Sequence, residues 1–260
     1  MLPAIVTPTW FTTHHDGVVV VHVARARPEA SPEQDYAAGH LPGAVLLDLE
    51  AWLAGPASDA DGRHPLPSPE HFAEGLSRAG IGDEDEVVAH DSERGVIAAR
   101  LVWMLRATGR SAALLAGTPD VALVHEPSTR TRTSAAVLPW PTELLAGPTE
   151  AADPANVVID ARPRERFEGQ DHPLDPRPGH VPGAASVPCL ATVDAEGALR
   201  PDDELRAAFA AAGATRDAPL VAYCGSGVTA CHTLLVAEHL GLGTGRLYPG
   251  SWSQYAQLPG

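Results

Sequence analysis

The chain has 260 residues, 44% of them hydrophobic, which is enough to bury a full core in one large or two modest domains. A formal net charge of -15 disfavours a nucleic-acid partner by long-range repulsion, and all 18 basic residues are arginine, which excludes lysine Schiff-base chemistry and a P-loop lysine. Cys189, Cys224 and Cys231 form an odd set without CxxC spacing, which excludes a disulfide framework and a four-thiolate zinc site and suits a reducing compartment.

Apolar runs alternate with helix-period stretches along the chain. The spacing predicts strands at "VVVVHV" (18–23) and "VLLDL" (45–49), then a helix in "SPEHFAEGLSRAG" with Ser68 as N-cap, Pro69 as its first residue and Gly80 beyond its end. A strand "EVVAH", a helix "GVIAARLVWMLRATG" stopping at Gly109 and a strand "AALLA" follow. Periodicity then fades into a stretch rich in Pro, Thr and Ser that reads as an interdomain linker, placed at residues 119–152.

The pattern restarts with a strand "NVVIDAR", a helix "PDDELRAAFAAAG", a strand "PLVAYC", a helix "GVTACHTLLVAEHLG" and a last strand "GRLYPG". The restart is a repeat, because "AGHLPGAVLLDL" at 38–49 matches "PGHVPGAASVPC" at 178–189. An α/β protein follows, with two tandem domains of similar fold, each a mainly parallel sheet flanked by helices: residues 1–118 and residues 153–260. No stretch reaches the roughly eighteen apolar residues of a membrane span, and "MLPAIVTPTWF" lacks the basic and apolar regions of a leader, so a cytoplasmic protein without a membrane partner is expected.

The stretch "YCGSGVTACH" carries the chemistry. Cys224 stands where an apolar strand ends and a helix begins, the position at which α/β sheets bind ligands. Gly225 and Gly227 carry no side chains, so successive N–H groups can turn inward as an anion-binding nest, and the helix N-terminus adds partial positive charge. That environment stabilises a thiolate, which makes Cys224 the candidate nucleophile. In the first repeat Asp91 of "HDSERGVIAAR" takes the cysteine's place, and a carboxylate cannot perform thiol chemistry. The N-terminal domain is therefore expected to be catalytically inactive.

Together, "CGSGVTA", the paired "GH[LV]PGA" motifs, "DARPRERFEG" and "LYPGSWSQY" resemble the tandem-domain rhodanese family, and the loop is most similar to that of 3-mercaptopyruvate sulfurtransferases. The resemblance implies two rhodanese-like domains, a catalytic C-terminal one and a Cys224 persulfide intermediate, without cofactor or metal. It carries the substrate arginines onto Arg166 and Arg177, and a Ser–His–acid arrangement onto Ser226, His64 and Glu50, with glutamate where the family pattern has aspartate. The loop residues Gly225, Gly227, Val228 and Thr229 complete the expected substrate site. The implied partners are 3-mercaptopyruvate as sulfur donor, less favourably thiosulfate, and a thiol acceptor such as thioredoxin, or cyanide.

Three alternatives stand beside this reading. Thiosulfate sulfurtransferases carry cations where this loop has Gly225 and Ser226. A cysteine phosphatase needs arginine six positions after the cysteine, where Ala230 stands. A pair of such domains can also serve as a non-catalytic binding or sensing module, against which an intact Cys224 loop argues. Among the histidines, His232 and His239 are seven apart without a further ligand in register, so no metal site is expected. His40 and His180 are expected to stabilise the Gly-His-x-Pro-Gly-Ala turns.

Overall fold

A computed structural model describes residues 1–259, so the expected domain end at Gly260 lies outside the described residues. The chain divides into two compact units, and the division is not continuous in sequence. The first unit comprises Met1–Gly55, Leu66–Trp140 and the short stretch Ala195–Ala198, and the second comprises Pro56–Pro65, Pro141–Asp194 and the chain from Leu199 onward.

In the first unit the chain runs β1 (Ile5–Val6), α1 (Pro8–His14), β2 (Val19–Ala24), α2 (Pro32–Ala38), β3 (Val45–Asp48) and α3 (Leu49–Trp52). It continues with α4 (Pro69–Arg78), β4 (Val87–His90), α5 (Ala98–Ala107) and β5 (Ala112–Leu115). The strands form one all-parallel sheet in the order β1-β5-β4-β2-β3. Strand β2 is buried along its whole length, as a continuous Val-rich run in a covered parallel sheet should be. Helix α4 starts as its sequence predicts: the Ser68 hydroxyl accepts the His71 N–H at 3.1 Å, Pro69 opens the helix, and Gly80 ends it at φ +71°. Residues 119–140 form no helix or strand. They are tied to this unit by Arg130 to the Gly80 carbonyl at 2.9 Å, Arg110 to the Ala136 carbonyl at 2.7 Å and Trp140 to the Pro67 carbonyl at 2.8 Å.

The second unit carries α6 (Pro148–Ala151), β6 (Val157–Asp160), α7 (Arg164–Phe167), β7 (Ala185–Ser186) and α8 (Asp202–Ala211). Strand β8 (Leu220–Tyr223), α9 (Ala230–His239), β9 (Arg246–Leu247) and α10 (Ser251–Tyr255) complete it. Its sheet is also parallel, in the order β7-β6-β8-β9. Strand β8 lies inside the sheet and is wholly buried, so the residue that follows it emerges at a fixed point on the sheet's C-terminal edge.

Both copies of the Gly-His-x-Pro-Gly-Ala motif are built alike. His40 Nδ1 bonds the Tyr36 carbonyl at 2.9 Å and its ring stacks on Tyr36 at 3.6 Å, while His180 Nδ1 bonds the Phe167 carbonyl at 2.7 Å and stacks on Phe167 at 3.9 Å. The glycine after proline takes a left-handed conformation in each, at φ +75° for Gly43 and +81° for Gly183, and the chain then enters β3 or β7. No helix among the described residues is long and apolar enough to cross a membrane.

Candidate active site

Cys224 follows the last residue of β8 and is 2% exposed. Its sulfur accepts the Gly227 N–H at 3.1 Å, so the loop folds back beneath the thiol. Gly227 has a conformational reason to be glycine: φ is +80°, and a Cβ there would collide with the Pro249 carbonyl. Beyond it, Val228 is buried and its carbonyl accepts the Cys231 N–H, while the Thr229 carbonyl accepts the His232 N–H, so the loop runs directly into α9.

The far side of the loop is clamped by α10. The Ser251 hydroxyl accepts the Cys224 N–H at 3.1 Å, the Trp252 N–H donates to the Cys224 carbonyl at 3.0 Å, and the Ser253 N–H donates to the Gly225 carbonyl at 3.0 Å. Ser251 holds this post at φ +51°, a left-handed conformation that costs a non-glycine residue energy and persists only where the surroundings dictate it. The motif "GSWSQY" thus positions the loop backbone, a role its composition does not announce.

His64 and Ser226 meet within the second unit, with His64 Nδ1 2.8 Å from the Ser226 hydroxyl. Two guanidinium groups lie over Gly225: a Cβ built there would sit 3.0 Å from Arg63 Nη2 and 3.1 Å from Arg166 Nη2. Arg166 was expected at the loop; Arg63, next to His64 in "GRHP", was not, and an arginine directly beside a singled-out histidine was the available signal. Arg63 also donates through its backbone to the Ser253 hydroxyl at 3.0 Å and through its side chain to the Leu174 carbonyl. Burial lowers its guanidinium below the ordinary value, against the opposing pull of Asp175 and Cys224.

Asp175 is a second residue that sequence reasoning passed over. Its side chain is 4% exposed; it takes Arg166 Nε at 2.9 Å and Nη2 at 2.5 Å, and Arg162 Nη1 at 3.3 Å. Arg162 is itself buried against Asp160, and Arg164 is a solvated charge beside Glu168. Arg177 is placed differently from Arg166: it is exposed, its guanidinium lies 5.8 Å from the Trp252 ring centroid, and its carbonyl accepts the Trp252 indole N–H at 3.0 Å. Glu50 belongs to the first unit, in the first turn of α3, where its carboxylate accepts the Ala26 N–H at 3.2 Å and burial raises its pKa.

The other thiols differ from Cys224. Burial pushes Cys189 up to about 12, so it stays protonated, and its sulfur is bonded to the Thr229 side chain. Cys231 donates its thiol to the Gly227 carbonyl at 3.4 Å.

Asp91 occupies the equivalent loop of the first unit, directly after β4. Its carboxylate accepts four backbone N–H groups, from Glu93, Gly95, Ile97 and Ala98, at 2.7 to 2.8 Å. The amide ring that could hold an external anion is filled by the chain's own side chain. Beside it, a cavity of about 280 Å³ is lined by His22, His90 and Arg94 among others.

Comparison with known proteins matches this architecture. The Rhodanese-like domain family model covers residues 142–258. A probable 3-mercaptopyruvate sulfurtransferase of Pseudomonas aeruginosa is 35% identical over 240 residues, spanning 86% of this chain and 84% of that protein. The chain belongs to the tandem-domain rhodanese family. A further rhodanese-family relative, the 3-mercaptopyruvate sulfurtransferase of Escherichia coli strain K12, is 33% identical over 276 residues, covering 96% of this chain and 95% of its own. The crystal structure of the Escherichia coli 3-mercaptopyruvate sulfurtransferase SseA superimposes with a TM-score of 0.82 at 30% identity, covering 96% of this chain and 99% of the other. In this rhodanese the thiol-bearing loop is in the second unit and the carboxylate-filled loop in the first.

Proposed function

We propose that this protein is a sulfurtransferase that moves a sulfane sulfur from 3-mercaptopyruvate through a persulfide on Cys224 to a thiol acceptor, releasing pyruvate. The observation that carries the reading is the loop itself. A buried sulfur on an amide turn stands in the same unit as a hydrogen-bonded His64–Ser226 pair and two guanidinium groups. The named relatives are sulfurtransferases with that donor.

In the first half-reaction the Cys224 thiolate attacks the thiol sulfur of the donor. A sulfur–sulfur bond forms, the carbon–sulfur bond breaks, and the bonding pair leaves on the carbon as the pyruvate enolate. Ser226, with His64 hydrogen-bonded behind it, is the group assigned to hand that carbon a proton. Arg63 and Arg166 are the cations available to the donor carboxylate, and the loop N–H groups favour negative charge on sulfur before and after transfer. In the second half-reaction an acceptor thiolate, such as that of a thioredoxin in the cytoplasm, or cyanide in an assay, takes the outer sulfur and returns Cys224 as thiolate. Glu50 is the candidate acidic member for the His64–Ser226 pair, and Arg177 a third arginine for the donor.

The deciding experiment is intact mass of the reduced protein after brief exposure to 3-mercaptopyruvate or to thiosulfate. One added sulfur from the mercapto acid, absent in Cys224→Ser, is the expected result. Equal loading from thiosulfate overturns the donor assignment, and no loading from either turns the reading to a non-catalytic binding module.

A further inference from the structure

Three guanidinium groups and two carboxylates are gathered beneath and beside the loop. Arg162 and Asp160 neutralise one another in the interior, at 1% and 0% side-chain exposure. What remains is Arg63 and Arg166 over Gly225 against the single carboxylate of Asp175, which leaves one unit of positive charge facing the loop. His172, half-buried nearby, is lowered by burial and by these arginines, so it adds no further cation near neutral pH.

Asp175 also fixes what Arg166 can offer. The Nε and Nη2 edge of that guanidinium, the edge best matched to a two-oxygen anion, is already taken by Asp175 at 2.9 and 2.5 Å. Arg166 therefore meets a ligand with its remaining N–H groups, as a point of positive charge rather than as a free fork.

We propose that Asp175 sets the donor class: its buried carboxylate cancels one guanidinium charge and occupies the Arg166 fork, so the site favours a donor with one carboxylate over a dianionic sulfur oxyanion. This rests on the sulfur-transfer reading above. Asp175 acts through Arg166 and is a positioning residue.

The test separates the two claims by using alkylation, which needs no donor. Rates of Cys224 modification by iodoacetate and by iodoacetamide are measured by mass; their ratio cancels the thiolate fraction and reads only how welcome negative charge is at the sulfur. Asp175→Asn is expected to raise that ratio about threefold to tenfold, the size expected for removing one unit charge at an intermediate effective dielectric. Persulfide loading from thiosulfate relative to 3-mercaptopyruvate should rise with it. Asp175→Glu, which keeps the charge, should leave both ratios within about twofold of the unaltered chain, whereas loss of structure would take the thiol away from both guanidinium groups and lower the alkylation ratio, the direction opposite to the one expected. Should the asparagine variant fail to fold, Asp175→Ser, neutral and small enough to let water reach the arginines, takes its place. Unchanged ratios in the neutral variant overturn the proposal, as do ratios in Asp175→Glu that shift as far as in Asp175→Asn. An unaltered chain that loads from neither donor overturns the sulfur-transfer reading instead, and the alkylation ratio still judges Asp175.

Discussion

Replacing Asp91 by alanine should unfold the first unit far more readily while sparing the chemistry at Cys224. The carboxylate accepts N–H groups from Glu93, Gly95, Ile97 and Ala98, all at 2.8 Å or less, and alanine leaves all four without their acceptor. Hydrogen bonds to a charged group are each worth about 1.5 to 3 kcal/mol, but the adjoining cavity gives water a way in, so a low figure of about 1 kcal/mol each is appropriate. The loss is then about 4 kcal/mol, or on the order of 10 °C in the melting temperature of a unit this size. Calorimetry and urea titration of the full chain measure it, and persulfide loading of the protein that remains folded provides the control. A loss below about 1 kcal/mol would refute the idea that this carboxylate stands in for a bound anion.

Other outcomes follow from the same geometry. Ser226→Ala should slow turnover by about 100-fold, the lower end for a positioned proton donor, while prolonged incubation with the donor still adds one sulfur to Cys224. Gly227→Ala should cost about 2 kcal/mol or more, from the left-handed backbone and the collision with the Pro249 carbonyl, and should lower the rate of persulfide loading. Burial holds His90 down to about 3 and His232 down to about 4, below the ordinary 6.5. These folded-state values are depressed, so the neutral rings cost nothing above about pH 6.5. Between about pH 6.5 and 4 the unfolded chain takes up protons that the fold refuses, at a loss on the order of 3 kcal/mol per ring. His232→Leu should flatten that acid limb in urea titrations, since neither ring nitrogen has a hydrogen-bond partner to lose.

Much of the fold was legible because buried parallel strands leave an unmistakable trace: β4, β5, β6 and β8 fall within the apolar runs that suggest them, β2 outruns its own by one residue at Ala24, and glycine closes α4, α5, α8 and α9 at left-handed φ. The two-residue strands β1 and β7 are too short for any period to register. In the site, Cys224 is legible from its position between strand and glycine loop. Arg63 and Asp175 are not, because each acts from an irregular segment whose place is set by tertiary contacts, Arg63 through Ser253 and Leu174 and Asp175 through Arg166. The clamp by Ser251 was equally hidden, since serine gives no local sign of adopting positive φ.

The twin histidine latches bear on how such a chain can diverge. Each ring is bonded to a carbonyl and stacked on an aromatic of its own unit, His40 on Tyr36 and His180 on Phe167, at the entrance to a strand. The strand that follows each latch is thereby anchored without help from the loop at the other end of the sheet. Mutational drift in one thiol-bearing loop could then run as far as loss of the cysteine, provided that a side chain such as that of Asp91 takes over the loop's N–H groups. A duplicated gene with such latches can retire one reactive centre and keep both scaffolds.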